Sequence, residues 1–267
     1  QIESAQIKNI LQYIKSIQIS EGGFKPSNAN PIFKENYQRI YSTYYALSAL
    51  NLLGHLDEFK KEKEWNENTI TWISSQQTDN GDFFDQISPF SEKIENSFWA
   101  IGILKFLGEP LTSSKNIDVK KLIELIKVRL KNKQVESVTN SFYLMILIKS
   151  IDEITRDQAK NLIEFVNSVN EDNFFHEFPL DVKKDKYRID FTEAHPQFTI
   201  HSTIFAKILL KKLNGESIDS DFLKLFLSKF YSKLGFGSQL KIKKMDFGSF
   251  STTFEFVLFL LFCLSVE

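Results

Sequence analysis

The chain has 267 residues, of which 42% are hydrophobic and 25% are charged, and 33 Lys and Arg residues oppose 34 Asp and Glu residues for a net charge of −1. This composition excludes a disordered chain and argues against nucleic acid as a partner. The single cysteine, Cys263, excludes a disulfide framework and a multi-thiolate metal site. The longest apolar run, 254–264, is shorter than the roughly 20 residues of a membrane-spanning helix. Since no targeting segment is visible, we expect a cytoplasmic protein without a membrane span.

In chain order, the first predicted elements are amphipathic helices that end in a shared pattern. The pattern is an aromatic residue, a β-branched residue, a serine three positions after the aromatic, and an amide two positions after the serine. It closes helices that we predict over 7–18, 66–77 and 158–170. Each copy leads into a turn of Gly, Asn or acidic residues and then into an aromatic residue, namely Phe24, Phe83 and Phe174. A looser copy of this turn lies at 234–237.

A second pattern follows these turns, in which Ser, Thr or Asn opens a largely apolar helix. We predict such helices over 42–53, 96–107, 140–151, 202–213 and 252–264, and we expect the opening side chains to cap their first turns. A helix that is apolar on nearly all faces must be surrounded, so these helices form an inner layer and the amphipathic helices an outer one. The repeat of about 50 residues predicts five helical hairpins in series. The predicted fold class is all-α, in a single domain over 1–267.

The order of these elements resembles a known superfamily. An amphipathic helix, an amide and a Gly-Gly-Phe turn (18–24), followed by a Ser-Thr-aromatic-aromatic-Ala helix start (42–46), resemble the α/α toroid of protein prenyltransferase β subunits and of triterpene and class II terpene cyclases. Toroids of this kind usually have six hairpins. The resemblance therefore implies that one hairpin is degenerate, that the ring is smaller, or that a protein partner completes it.

The resemblance also implies a central cavity, lined by aromatic side chains of the inner helices, that holds an isoprenoid chain or another hydrophobic small molecule. Ordinary core packing of the same side chains is the alternative. The candidate substrate-binding aromatics are Tyr44, Tyr45, Phe98, Trp99, Phe142, Tyr143, Phe205 and Phe254.

Catalytic residues are harder to assign. The family's zinc site uses an Asp, a Cys and a His at helix starts, whereas the corresponding positions here carry Thr199, His201 and Ser251, so we expect no metal site and no resident cofactor. His201 is nevertheless a catalytic candidate, as is Asp246, which the resemblance places in an Asp-Phe run near the reaction centre. Glu255 is the candidate general acid, because burial in the apolar last helix would raise its pKa. For His201 and Glu255, purely structural roles are the alternative.

Two loops carry clustered cations that could hold a diphosphate, and Mg²⁺ would enter only with such a substrate. A solvated loop is the alternative for both. The cations are Lys183, Lys184, Lys186 and Arg188 in one loop, and Lys241, Lys243 and Lys244 in the other.

Two functions from different classes remain open at this point. The first is an isoprenoid-handling protein of the prenyltransferase or terpene-cyclase type, with enzymatic activity left undecided. The second is a non-catalytic toroid that serves as a lipid-binding or protein-interaction scaffold. Activity does not follow from a fold alone.

Overall fold

The computed structural model describes residues 4–26, 38–84, 93–111, 116–135, 137–171, 174–175, 200–216, 231–232 and 235–236. These residues form mostly α-helices, joined by short turns, and the all-α class is confirmed. The helices are α1 Ser4–Ile17, α2 Ile40–Leu52, α3 Leu56–Lys60, α4 Lys63–Ser75, α5 Lys93–Leu107, α6 Val119–Lys131, α7 Val138–Ile151, α8 Arg156–Ser168 and α9 Ile200–Asn214. Four strands of two residues each complete the described elements: β1 Asn170–Glu171, β2 Phe174–Phe175, β3 Tyr231–Ser232 and β4 Gly235–Phe236.

The predicted inner helices correspond to α2, α5, α7 and α9, each of which begins two or three residues earlier than predicted. The fifth, 252–264, lies outside the described residues. The predicted outer helices correspond to α1, α4 and α8, whereas α6 was not predicted. The expected difference in burial is present in the second hairpin, where α5 buries eight residues and α4 buries three.

The described contacts divide the chain into two compact units. The first comprises Gln1–Ile126 and Ile146–Glu153, and the second comprises Lys127–Met145 and Ile154–Glu267. Helices α2 and α5 pack against each other in the first unit, and α8 packs against α9 in the second. A single domain over 1–267 stays a prediction.

The serine of the outer-helix pattern ends the helix by a local hydrogen bond. Its hydroxyl donates to the carbonyl oxygen of the aromatic residue three positions earlier, and the distance is 2.7 Å in all three copies: Ser16 to Tyr13, Ser75 to Trp72 and Ser168 to Phe165. Such a bond occupies a carbonyl group that the last turn of a helix leaves without an intrahelical partner. The spacing of aromatic and serine in the sequence is therefore explained by helix termination.

The amide of the same pattern pairs through its backbone with the aromatic residue of the following turn. The pairs are Gln18 with Phe24 and Gln77 with Phe83 as isolated bridges, and Asn170 with Phe175 within the β1–β2 ladder. The third pair corrects the sequence analysis, because the equivalent of Phe24 and Phe83 is Phe175 and not Phe174. In the looser fourth copy, Tyr231 pairs with Phe236.

The hydroxyl groups at the inner-helix starts bind the turns and do not cap the helices as expected. The Phe24 N–H donates to Thr43 Oγ1 at 2.9 Å, Phe83 to Ser97 Oγ at 3.0 Å and Phe175 to Thr203 Oγ1 at 3.2 Å. The residue at the N-cap of α2 is instead Arg39, which makes no side-chain cap. Because the three phenylalanines are fully buried, these hydroxyls satisfy backbone donors that water cannot reach.

Candidate functional site

The inner-helix aromatics of the first unit form one cluster between α2 and α5. The ring of Tyr44 lies 5.4 Å from Phe98 and 5.8 Å from Phe106, and the ring of Tyr45 lies 6.3 Å from Trp99, all between centroids. The rings are tilted against each other, which is the arrangement that aromatic quadrupoles favour. The structure thus brings together the four candidates that the sequence analysis assigned to these two helices.

Two members of this cluster were missed by the sequence analysis. They are Phe106 and Tyr41, whose ring lies 5.9 Å from that of Trp99. Neither occupies a position that repeats as an aromatic in the other inner helices, so the repeat pattern carries no signal for them. The apolar sequence of the helices indicates that both side chains contact a neighbouring helix, but it does not identify that helix.

A glycine lets Tyr44 pack directly on α5. A Cβ atom at Gly102 would lie 2.5 Å from Cε2 and 2.8 Å from Cδ2 of the Tyr44 ring, which is closer than atoms can approach. The ring is therefore half-buried against the backbone of α5. Burial raises the pKa of the Tyr44 phenol, and a hydrogen bond to Ser48 partly offsets that rise.

The second unit contains a smaller cluster formed by α7 and α9. The rings of Phe142 and Phe205 are stacked with 4.2 Å between centroids and 5° between their planes. The ring of Tyr143 meets Phe205 edge-on at 5.9 Å and Phe142 edge-on at 5.6 Å. Three predicted candidates therefore meet here.

The exposed fraction of each ring distinguishes rings that are packed in the core from rings that are accessible at the surface. Trp99, Phe142 and Tyr143 are buried, with at most 9% of their surface exposed, so the core-packing interpretation accounts for them. Tyr44, Phe98 and Phe205 are half-buried, and Tyr45 is 45% exposed. Each cluster therefore has a packed part and a part whose apolar surface is open to a ligand.

The structure adds a buried cation that the sequence analysis did not consider. Lys207 in α9 is 5% exposed, its Nζ lies 2.9 Å from Glu216 Oε1, and the same atom lies 5.6 Å from the centroid of the Phe175 ring. In the repeat, this position holds Leu47 in α2 and Ile101 in α5, both buried. That break in the apolar pattern is the signal that could have identified it.

The remaining predicted site residues cannot be placed. For His201 the structure gives only its position in the first turn of α9. The others lie outside the described residues: Phe254, Glu255, Asp246, Lys183, Lys184, Lys186, Arg188, Lys241, Lys243 and Lys244.

The described inner-helix starts carry mainly hydroxyl and amide side chains, together with His201 in α9. The hydroxyls of Thr43, Ser97 and Thr203 accept the backbone amides of the turns. Within the described ranges, no group of three His, Cys, Asp or Glu side chains is arranged to hold a metal ion. Of the positions that correspond to the family's zinc ligands, Thr199 and Ser251 lie outside the described residues, and His201 is placed only by its position in α9, so the absence of a zinc site stays a prediction.

The described part of the chain consists of successive helical hairpins, and in three of them a hydroxyl of an apolar helix binds the preceding turn. This arrangement defines an α/α hairpin-repeat protein. The family model described as prenyltransferase alpha-alpha toroid domain matches residues 25–239. The chain therefore belongs to the prenyltransferase α/α toroid family, as the sequence resemblance indicated. A search of curated proteins finds no match to the chain.

The described helices were also compared with the requirements of a membrane span. None of them is long and apolar enough to cross a bilayer.

Proposed function

We propose that this protein binds an isoprenoid chain, or another apolar small molecule, against the aromatic side chains of its inner helices. The observation that supports the proposal most is the partial exposure of Tyr44, Tyr45, Phe98 and Phe205, which lie beside buried rings at repeated positions of three inner helices. Exposed aromatic surface next to a rigid packed layer suits a ligand of apolar carbon, because burying each methylene contributes about 0.8 kcal/mol. Family membership is consistent with such a ligand.

A charged head group would extend the proposal to prenyl diphosphates. The cations that would hold it are those of 183–188 and 241–244, and Phe254 would contribute to the apolar part of the site. Mg²⁺ would bind only together with the diphosphate, and the proposal includes no resident cofactor. Glu255, His201 and Asp246 are the candidates for catalysis. The proposal made from the described residues is limited to binding.

The test compares two tyrosines of nearly equal exposure. Tyr45 on inner helix α2 is 45% exposed and Tyr13 on outer helix α1 is 49% exposed, so replacing either by alanine removes a similar amount of accessible ring. Calorimetric titration with geranylgeranyl diphosphate and with geranylgeraniol should show at least tenfold weaker binding for Tyr45→Ala, about 1.4 kcal/mol, and unchanged binding for Tyr13→Ala.

The two ligands separate the head group from the chain. If Lys241→Ala/Lys244→Ala weakens binding of the diphosphate and leaves the alcohol unaffected, the cations hold the diphosphate. Equal effects of Tyr45→Ala and Tyr13→Ala, or no binding of either ligand to the unaltered protein, would refute the proposal.

A non-catalytic binding protein is the second candidate function. It is favoured by the hydroxyl groups of Thr43, Ser97 and Thr203, which bind backbone amides of the turns and so have a structural role. Incubation with geranylgeranyl diphosphate, followed by mass spectrometry of the small molecule, distinguishes the two. Recovery of unchanged ligand supports binding alone, whereas a cyclised or transferred product supports an enzyme. Either candidate would act in the cytoplasm, which cell fractionation tests.

A further inference from the structure

A cavity of about 230 Å³ lies in the second unit, between the turn that follows α6 and the outer helix α8. Its lining combines the apolar side chains of Val135 and Phe165 with the polar side chains of Lys133, Asn161 and Glu164. The inner-helix aromatics do not line it. A cavity of about 150 Å³ accommodates a benzene molecule, so this one has room for an aromatic ring with a short chain.

The cavity lies where this hairpin departs from the repeat. In the first hairpin, Gly22 brings the turn so close to α4 that a Cβ atom there would lie 2.6 Å from the backbone nitrogen of Thr69. The turn after α6 has no glycine, and its left-handed position is occupied by Lys133, with a φ of 54°. This turn therefore carries a side chain at the point where the first hairpin has Gly22, against which α4 packs closely.

A second difference removes apolar volume from the same turn. The other described turns place a fully buried phenylalanine over the inner helix, such as Phe24 or Phe83. Here the buried residue is Val135, and the hydroxyl of Ser137, just before α7, accepts the N–H of Asn140 at 2.9 Å. Phe165, the pattern aromatic of α8, is half-buried and forms one wall of the cavity.

Among the described residues, two lysines and one glutamate lie at or beside the mouth of the cavity. Lys133 Nζ lies 3.0 Å and Lys160 Nζ lies 3.7 Å from the carboxylate of Glu164, so two ammonium groups share one carboxylate. Both lysine side chains are at least 67% exposed. An exposed ion pair of this kind contributes little stability, so the ammonium groups can bind a second carboxylate at small cost.

We propose that this cavity binds a small aromatic carboxylate. The ring would pack between Val135 and Phe165, and the carboxylate would bind Lys133 and Lys160, giving two ammonium and two carboxylate groups at the mouth. The ring supplies apolar area and an edge-to-face or offset-stacked contact with Phe165. The ligand class follows from a cavity of about one ring in size and from two ammonium groups that, among the described residues, share one carboxylate.

The experiment is a titration of the full chain with 3-phenylpropionate, followed by two-dimensional amide NMR. Resonances of Val135, Asn161 and Phe165 should shift with saturation. The amide analogue 3-phenylpropionamide lacks the charge and should bind at least tenfold more weakly. Lys133→Ala should weaken binding of the carboxylate by a similar factor, and Lys131→Ala, a matched exposed lysine at the end of α6 that does not line the cavity, should leave it unchanged.

The proposal is overturned if 3-phenylpropionate shifts none of these resonances, if the amide binds as well as the acid, or if Lys133→Ala and Lys131→Ala have the same effect. A further variant, Val135→Phe, fills the apolar part of the cavity and should abolish binding while the amide spectrum stays folded. If Val135→Phe unfolds the chain, the comparison of Lys133→Ala with Lys131→Ala decides the question alone.

Discussion

The hydroxyl that binds the turn of the second hairpin can be tested against a matched serine. Ser97 and Ser141 occupy the same position in their inner helices and are both fully buried. Ser97 Oγ accepts the Phe83 N–H at 3.0 Å and donates to the carbonyl of Lys93 at 2.7 Å. Ser141 Oγ donates to the carbonyl of Ser137 at 2.9 Å and, among the described residues, accepts no turn amide. Replacing either serine by alanine removes the same hydroxyl group, but only Ser97→Ala removes the acceptor of a described turn N–H.

Ser97→Ala should therefore cost more than Ser141→Ala. A buried donor left without an acceptor costs about 1–3 kcal/mol, and the lost hydroxyl-to-carbonyl bond is common to both variants. The difference in the free energy of unfolding should be about 2 kcal/mol, which corresponds to a melting temperature lower by roughly 4–8 °C. Urea denaturation and thermal melting measure it, and hydrogen exchange at the Phe83 amide locates it. Equal stability of the two variants, with unchanged exchange at Phe83, would refute the role assigned to the hydroxyl.

Three further predictions concern the aromatic cluster and the metal. Gly102→Ala should destabilise the protein by about 1–3 kcal/mol through overlap with Tyr44. In a Tyr44→Ala background, the same change should stabilise α5 by up to about 1 kcal/mol, because alanine favours the helix over glycine. Thermal melts of the unaltered protein, the two single variants and the double variant measure both effects. Burial raises the pKa of Tyr44 above 10.0, so its neutral form contributes stability below pH 10.0 that is lost as the pH rises through the folded-state pKa. Tyr44→Phe should therefore lose less free energy of unfolding at alkaline pH than the unaltered protein. Because the sequence has Thr199, His201 and Ser251 at the family's zinc-ligand positions, elemental analysis should find no stoichiometric zinc in the purified protein, and one tightly held zinc per chain would contradict this expectation.

Much of the fold could be predicted because the repeat places the same residue types at the same structural positions. The periodicity of apolar residues located α2, α5, α7 and α9 to within three residues at their starts. The remaining error has a physical cause. Ser, Thr and Asn are typical N-cap residues, whereas Thr43, Ser97 and Thr203 lie inside the helices and bind the preceding turn, so the cap rule placed these starts too late.

Helix α6 was not predicted because it lacks the pattern that marks the other outer helices. Its last residues are Val128, Arg129, Leu130 and Lys131, with neither the aromatic nor the serine that closes α1, α4 and α8. Its amphipathic spacing is nevertheless present, since Leu122, Ile126 and Leu130 are all fully buried. A search for motifs thus missed a helix that a search for periodicity finds.

The ring contacts between α2 and α5 could not be predicted from the sequence. The repeat assigned Tyr44 and Phe98 to inner helices, but their 5.4 Å contact depends on how closely α2 approaches α5. That approach is permitted at Gly102, a position whose neighbours become known only from the packed structure. The ring contacts of the cluster are therefore a consequence of tertiary packing and cannot be derived from the positions in the repeat.

Departures from the repeat distinguish this chain from the scaffold that its hairpins share. The repeated serines, amides and phenylalanines form the helix ends and turns, so they specify the hairpin and carry no information about a ligand. Lys133 and Lys207 instead place a cation where other hairpins have glycine or a buried aliphatic residue. Burying Lys207 costs free energy that its ion pair with Glu216 must offset, since a buried charge without a partner is strongly destabilising. Substitution of the exposed Lys133, rather than of Lys207 or of the repeated residues, is therefore the one expected to change binding while leaving the hairpins folded.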